Sequence, residues 1–254
     1  MNILVCVKRV PSPGAKIVLT PDGSAVDTAH LGFTVSPHEE CAVEEAVQLI
    51  ERHGGSATVL TLGPAAAHEQ LRTAISMEVT DAVHLTIDRD EWDPQATASA
   101  ITDAVRTLED EGDPFDLVLF GDESADAGHH QVGIRVAYAL GRPIVAGIKG
   151  IEIGDGTVTL RRSVPEGFEI HELPLPAVAA VKEGINLPRY PAMRGRLKAA
   201  KAQIRAIEPR ATAGGLTTLG LRHPVQQETE TVMLGRGADA ATAIVDLFEE
   251  VGLV

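Results

Sequence analysis

Aromatic side chains make up only 3% of this 254-residue sequence. Its core must therefore be filled by aliphatic and small residues. Cysteine is also scarce. Cys6 and Cys41 are the only two, no CxxC pair exists, and both sit among apolar neighbours, so they read as reduced core residues and not as a disulfide framework or a metal site. Positive charge is in short supply, with 22 Lys+Arg against 36 Asp+Glu and a net charge of −14. Such a surface is a poor match for duplex DNA, RNA or an anionic membrane, and its acidity would suit a salt-rich cytosol. No apolar run approaches the length needed to span a bilayer, and the N-terminus enters a strand without the pattern of a signal or transit peptide. The expectation is a cytoplasmic protein. Signatures of catalysis are missing too: there is no GxxxxGK[ST], no HExxH, no GxSxG and no Ser-Gly-Gly loop after the first strand. Gly235-Arg-Gly-Ala-Asp-Ala240 fits GxGxxA, but too little chain follows it for a dinucleotide fold. Helical spacing sends His38, Glu39, Glu40 and Cys41 to different faces, so no metal is expected.

What is present is a regular alternation. Asn2–Val7 reads as a buried strand, followed by Lys8-Arg9 and a turn-rich Val10-Pro-Ser-Pro-Gly14. Residues 16–31 read as a short hairpin around Pro21-Asp22-Gly23. Ser36-Pro37 starts a helix with Glu39 and Glu40 at its positive end and Ala42, Val43, Ala46, Val47 and Ile50 on its core face; Gly54-Gly55 ends it. Strands follow at 58–62, 83–87 and 117–120, and helices at 66–77, 97–108 and from about Val132 to Leu140. Alternation with short links predicts an α/β fold with a doubly wound, mostly parallel sheet. After Pro143 the pattern becomes an antiparallel meander at about 148–172, and Ala177–Val181 returns to the main sheet. A proline-set loop and a short basic helix occupy 184–201. Residues 207–230 read as an extended arm, and 238–251 as an amphipathic helix. The division expected is 1–205 as a nucleotide-binding domain, with 206–254 an arm and helix that need a partner surface.

The stretch DLVLFGDESADAGHHQVGIRVAYALG, residues 116–141, organises the rest. Leu117–Phe120 has the continuous bulk of a strand buried on both faces. A polar loop and a helix N-terminus follow, and free N–H groups there, with the positive end of the helix dipole, suit an anion. The same shape also serves as an ordinary βα turn.

The segments NILVCVKRVP, CAVEEAVQL, LGPAAAHEQLRTAISM, GDESADAGHHQVG and LPAVAAVKEGINLPRYPAMRGRLKAAK together resemble the β subunit of electron transfer flavoprotein, in order from residue 2 to about 205. The last is the most specific, through Leu-Pro-Ala-Val, Asn-x-Pro-Arg-Tyr and Lys-Ala-x-Lys. The resemblance implies an adenine-nucleotide-binding, universal-stress-like α/β domain that pairs with an α subunit carrying the redox FAD. It also implies an electron carrier and not an enzyme. Electrons would come from flavin dehydrogenases such as acyl-CoA dehydrogenases and go to a membrane quinone oxidoreductase. The β subunit of that family holds a structural AMP, or a second FAD in electron-bifurcating members that react with NADH. The positions matching its cavity are Cys6, Ser36, Pro37, His38, Glu39, Leu62, Gly121, Asp122, Glu123, Ser124, Ala125, Asp126, Ala127, Gly128, His129, His130, Gln131 and Val132. Asp126 would serve as a ribose or loop-bracing contact, or as a cap for the next helix.

Departures from the family pattern bear on which nucleotide is held. Asp122 and Glu123 stand where relatives have basic or neutral residues. His38 and His129-His130 replace aromatic or smaller side chains, and Pro13 replaces a residue near the partner's flavin. Arg162 matches an arginine that steadies the partner's flavin domain, but Ser163 follows it where relatives often have Glu. Tyr190 to Lys201 resembles the loop that docks dehydrogenases, with Met193 at the tip and Arg194, Arg196, Lys198 and Lys201 beside it. Met193 packed on its own loop and the cations on a solvated helix face are the alternative. A rival of another class is a stand-alone universal-stress-like adenine nucleotide binder or hydrolase.

Overall fold

The computed structural model describes residues 1–88, 92–225 and 231–254. Strand β1 (Asn2–Val7) leads into β2 (Arg9–Pro11), which pairs antiparallel with β3 (Phe33–Val35). The stretch read as a turn at Val10-Pro11 is therefore a strand, one of a pair too short to carry a periodic signal. The expected hairpin at 16–31 reduces to a single antiparallel bridge between Leu19 and Val26. Asp22 holds its turn, accepting from the Thr20 hydroxyl at 2.6 Å and from the Ser24 N–H at 3.1 Å.

Helix α1 (Pro37–His53) opens with a capping box of Ser36 and Glu39 and places Pro37 in its first turn, where the missing N–H costs nothing. Strand β4 (Ser56–Gly63), a 3-10 turn (Ala65–Ala67), α2 (His68–Ser76) and β5 (Asp81–Thr86) follow. Helix α3 (Pro94–Glu111) starts earlier than the apolar spacing suggests, because the Asp93 carboxylate accepts from the Gln95 and Ala96 N–H groups. Then come β6 (Leu117–Gly121) and α4 (Val132–Leu140), which ends at left-handed Gly141. The meander is longer than its sequence pattern: β7 (Ile144–Ile153), β8 (Thr157–Val164) and β9 (Gly167–Pro174). Strand β10 (Ala177–Val181), α5 (Met193–Lys201) and β11 (Arg205–Ile207) complete this part.

The large sheet runs β11-β5-β4-β1-β6-β10-β7-β8-β9. It is parallel from β11 to β7 and antiparallel through β8 and β9. One half of β7 pairs parallel with β10 and the other half antiparallel with β8, so the meander continues the sheet instead of standing apart from it. Alternate residues of the strands feed two cores. Ile3, Val5 and Val7 pack with α1 and α2 on one face. Leu4 and Cys6 pack with α3 and α4 on the other. The order of strands reverses between β1 and β6: the chain runs outward through β4 and β5, then returns to the far side of β1. That is where a doubly wound sheet opens a crevice at its carboxyl ends.

The chain divides into two compact units, Met1–Gly220 and Leu221–Val254. The second contains a 3-10 turn (Gly237–Asp239) and α6 (Ala240–Glu250), none of whose residues is buried. Ile244, Val245, Leu247 and Phe248 leave about two-fifths to half of their surface open. Among the described residues no helix is long and apolar enough to cross a membrane.

Candidate nucleotide site

A cavity of about 90 Å³ that opens to solvent lies at the carboxyl ends of β1, β4 and β6, on the face covered by α3 and α4. Of the positions expected there, Cys6, Glu39, Leu62, Gly121 to Ser124, Gly128 to His130 and Val132 line it. Its apolar walls include Leu62, Ile101 and Phe120. Two local requirements build its rim. Gly121 lets the end of β6 lie against the start of α1: a Cβ there would stand 2.6 Å from Glu39 Cγ and 3.2 Å from the Glu39 nitrogen. Gly128, at φ +74°, closes a tight loop in which the Ser124 N–H donates to the Gly128 carbonyl at 2.9 Å and the Gly128 N–H returns to Ser124 at 3.0 Å.

The remaining expected residues brace the loop. The Ser36 hydroxyl donates to the Glu123 carbonyl at 3.2 Å. His38 Nδ1 accepts from the Glu183 N–H at 3.0 Å, and its Nε2 lies 3.4 Å from the Glu123 carboxylate. His130 reaches the same carboxylate at 3.0 Å. Asp126 pairs with the Lys8 ammonium at 2.9 Å and takes its own Ala127 N–H at 2.7 Å. Partial burial pushes the Asp126 carboxyl up, but Lys8 and the hydrogen bonds outweigh this and hold it below the ordinary range. Asp126 thus braces the loop. The position before α4 falls to Gln131, whose side chain accepts from Arg135 Nε at 2.8 Å. Pro37 sits in the first turn of α1, and Ala125 and Ala127 are exposed on the loop.

On the floor, burial pushes the Cys6 thiol well up, with Glu39 adding to the effect. Glu39 is 7% exposed. Burial raises its carboxyl to about 8 against the opposing pull of the Lys8 and Ser36 N–H groups, which donate to it at 2.9 and 3.4 Å. The first turn of α4 supplies Gly133 and Ile134 to the wall, and first-turn amides have no acceptor within their own helix. The Val132 N–H is taken by the His129 carbonyl at 3.4 Å, and an anion there would be met by the remaining first-turn amides and by the helix dipole.

Sequence reasoning missed the wall formed by Trp92, just before α3, and by Pro94, Thr97 and Ile101 of that helix. The signal was present in Asp93-Pro94, a cap followed by proline, which starts the helix beside the cavity.

A second cluster lies along residues 182–201. Tyr190 and Met193 are 87% and 72% exposed, and the Arg196 guanidinium lies 5.8 Å from the Tyr190 ring. Helix α5 rests on α2, with Gly195 so close that a Cβ would stand 2.2 Å from the Ser76 carbonyl. Arg194, Arg196, Lys198 and Lys201 project from it as exposed cations, with Lys198 3.9 Å from Glu78. The segment is tethered to α1. Arg189 donates to buried Glu44 at 2.9 and 3.1 Å and to Glu51 at 2.7 and 3.0 Å. Asn186 donates to the Cys41 carbonyl and to Glu45, each at 3.0 Å. On β8, Arg162 forms an ion pair across the hairpin with Glu169 of β9, donating from Nε at 2.8 Å.

A family model described as "Electron transfer flavoprotein domain" matches residues 24–212. The chain belongs to the electron transfer flavoprotein β-subunit family. It is 31% identical to the electron transfer flavoprotein subunit beta of Bacillus subtilis over 256 residues, covering 97% of each chain. It is 35% identical over 209 residues to the protein of that description from Mycobacterium tuberculosis, covering 80% of this chain and 77% of that one. The match to the Thermoanaerobacterium thermosaccharolyticum protein is 32% over 197 residues, covering 77% and 73%. The α/β fold agrees with the family, whose members are electron carriers built with a second, α subunit.

Proposed function

We propose that this chain pairs with a FAD-carrying α subunit to accept electrons from flavin dehydrogenases, such as acyl-CoA dehydrogenases, and deliver them to a membrane quinone oxidoreductase. Its cavity holds AMP. The observation that carries this reading is the cavity at the switch point of the sheet, apolar along Leu62, Ile101 and Phe120 and closed by the N-terminus of α4. The apolar walls suit a purine, and the amides suit one phosphate without a basic side chain. The flavin of the α subunit supplies the electron-transfer chemistry. The residues of this chain bind, brace and dock. Cys6, Glu39 and Leu62 form the floor, and the loop Gly121–Val132, held by Ser36, His38 and Lys8, covers it. Residues 206–254 lie against the α subunit, and Arg162 steadies its flavin domain in competition with Glu169. The docking segment presents Met193, a flexible side chain suited to several partners.

Co-expression with an α subunit tests this reading. The expected product is a heterodimer reduced by an acyl-CoA dehydrogenase. Met193→Ala should lower kcat/KM for that reduction about tenfold with Tm unchanged, the cost of one unburied side chain. A stable monomer without flavin that turned over ATP would favour a stand-alone nucleotide-binding protein instead.

A further inference from the structure

The polar lining of the cavity is unusual for an anion site. Asp122 and Glu123 are among its lining residues, the Glu123 carboxylate reached by His38 and His130, and Lys8 is paired with Asp126 at 2.9 Å. Beneath them lies Glu39. Its side chain is buried, its hydrogen-bond donors are the Lys8 and Ser36 backbone amides, and among the described residues it has no ion pair. A carboxylate this buried, whose one favourable charge is the Lys8 ammonium already paired with Asp126, is costly to ionise.

We infer that Glu39 sets what the cavity accepts: it is carried as the neutral acid, which lets a phosphate monoester enter, and loss of its proton drives the ligand out. This rests on the reading that the cavity holds AMP. The location fits the role. Glu39 stands in the first turn of α1, pressed against Gly121 where the covering loop begins. An ionised Glu39 would place a buried negative charge in the lining that a phosphate has to approach. It would also repel Asp126, whose charge works against its ionisation. Burial places the transition near pH 8.

Other charged and titratable groups surround Glu39. Burial pushes the Cys6 thiol of β1 well above this window. His38, on the same helix, and His130, on the loop, are directed to the Glu123 carboxylate, and Asp122 and His129 line the cavity. Lys8 lowers and Asp126 raises the Glu39 carboxyl, and burial with the charge of Glu183 raises that of Glu40. A phosphate monoester loses its second proton near pH 6.

Equilibrium dialysis of labelled AMP against the full-length chain in complex with its α subunit, from pH 6.5 to 9.5, tests the inference. Affinity in the wild type should fall about tenfold between pH 7 and 9, the effect of one linked proton. Glu39→Gln should lose that dependence: whatever its affinity at pH 7, it should be the same at pH 9. A wild-type affinity that is flat between pH 7 and 9 overturns the inference, whether or not the variant folds. So does a fall that persists in a folded Glu39→Gln. Absence of AMP binding at every pH, in both proteins, would instead overturn the nucleotide reading beneath it.

Discussion

Gly121 shows how much one residue can conceal. In the sequence it marks the end of an apolar run and the start of a loop. In the fold it is the point where β6 passes α1 closely enough that even a methyl group would strike Glu39. Gly121→Ala should cost about 1–3 kcal/mol, the range for overpacking, seen as a lower midpoint in urea at an unchanged slope. Glu39 was legible as an acidic residue at the positive end of a helix, but its burial depends on the closeness of β6, which no local pattern encodes. Its carboxyl rises on folding from 4.5 to about 8. Between those values the folded chain keeps a proton that the unfolded chain has released, so stability falls as pH rises through that window. Glu39→Gln removes this dependence. It should be more stable than the wild type at pH 8 by on the order of 3 kcal/mol, and the two should converge near pH 4.5, as measured by urea unfolding at both pH values.

At the scale of elements, the long periodic segments were readable and the short ones were not. Helix α1 and strands β6 and β10 carry dense apolar patterns and appear where those patterns put them. Strands β2, β3 and β11 have three residues each and exist because a distant partner pairs with them. The tether of the docking segment was equally hidden. Asn186 and Arg189 stand out in the sequence as a motif, but their roles depend on Glu44, Glu45 and Glu51, more than 130 positions away. Arg189→Ala leaves Glu44 buried without its partner and should cost about 3 kcal/mol. It should also speed hydrogen exchange across residues 185–201. Arg189→Lys should recover only part of this, since an ammonium cannot serve two carboxylates through a planar fork.

On the scale of the whole molecule, charge separates the surface into roles. A chain of net −14 gathers four cations at 194–201 beside an exposed methionine. Raising salt from about 50 to 500 mM should therefore slow encounter with an acidic dehydrogenase about tenfold and leave the bound complex little changed, because exposed charges steer approach more than they hold contact. Stopped-flow reduction over that salt range measures it. The composition argued against nucleic acid and anionic membrane surfaces as partners, and the alternation of elements was enough for the parallel sheet. The cavity itself needed the reversal of strand order between β1 and β6, which only the folded chain displays. Acid extraction of the purified heterodimer, followed by chromatography of the released nucleotides, tests the central claim most directly. The account predicts one FAD and one AMP per heterodimer. Two FADs, or FAD with no second adenine nucleotide, would contradict it.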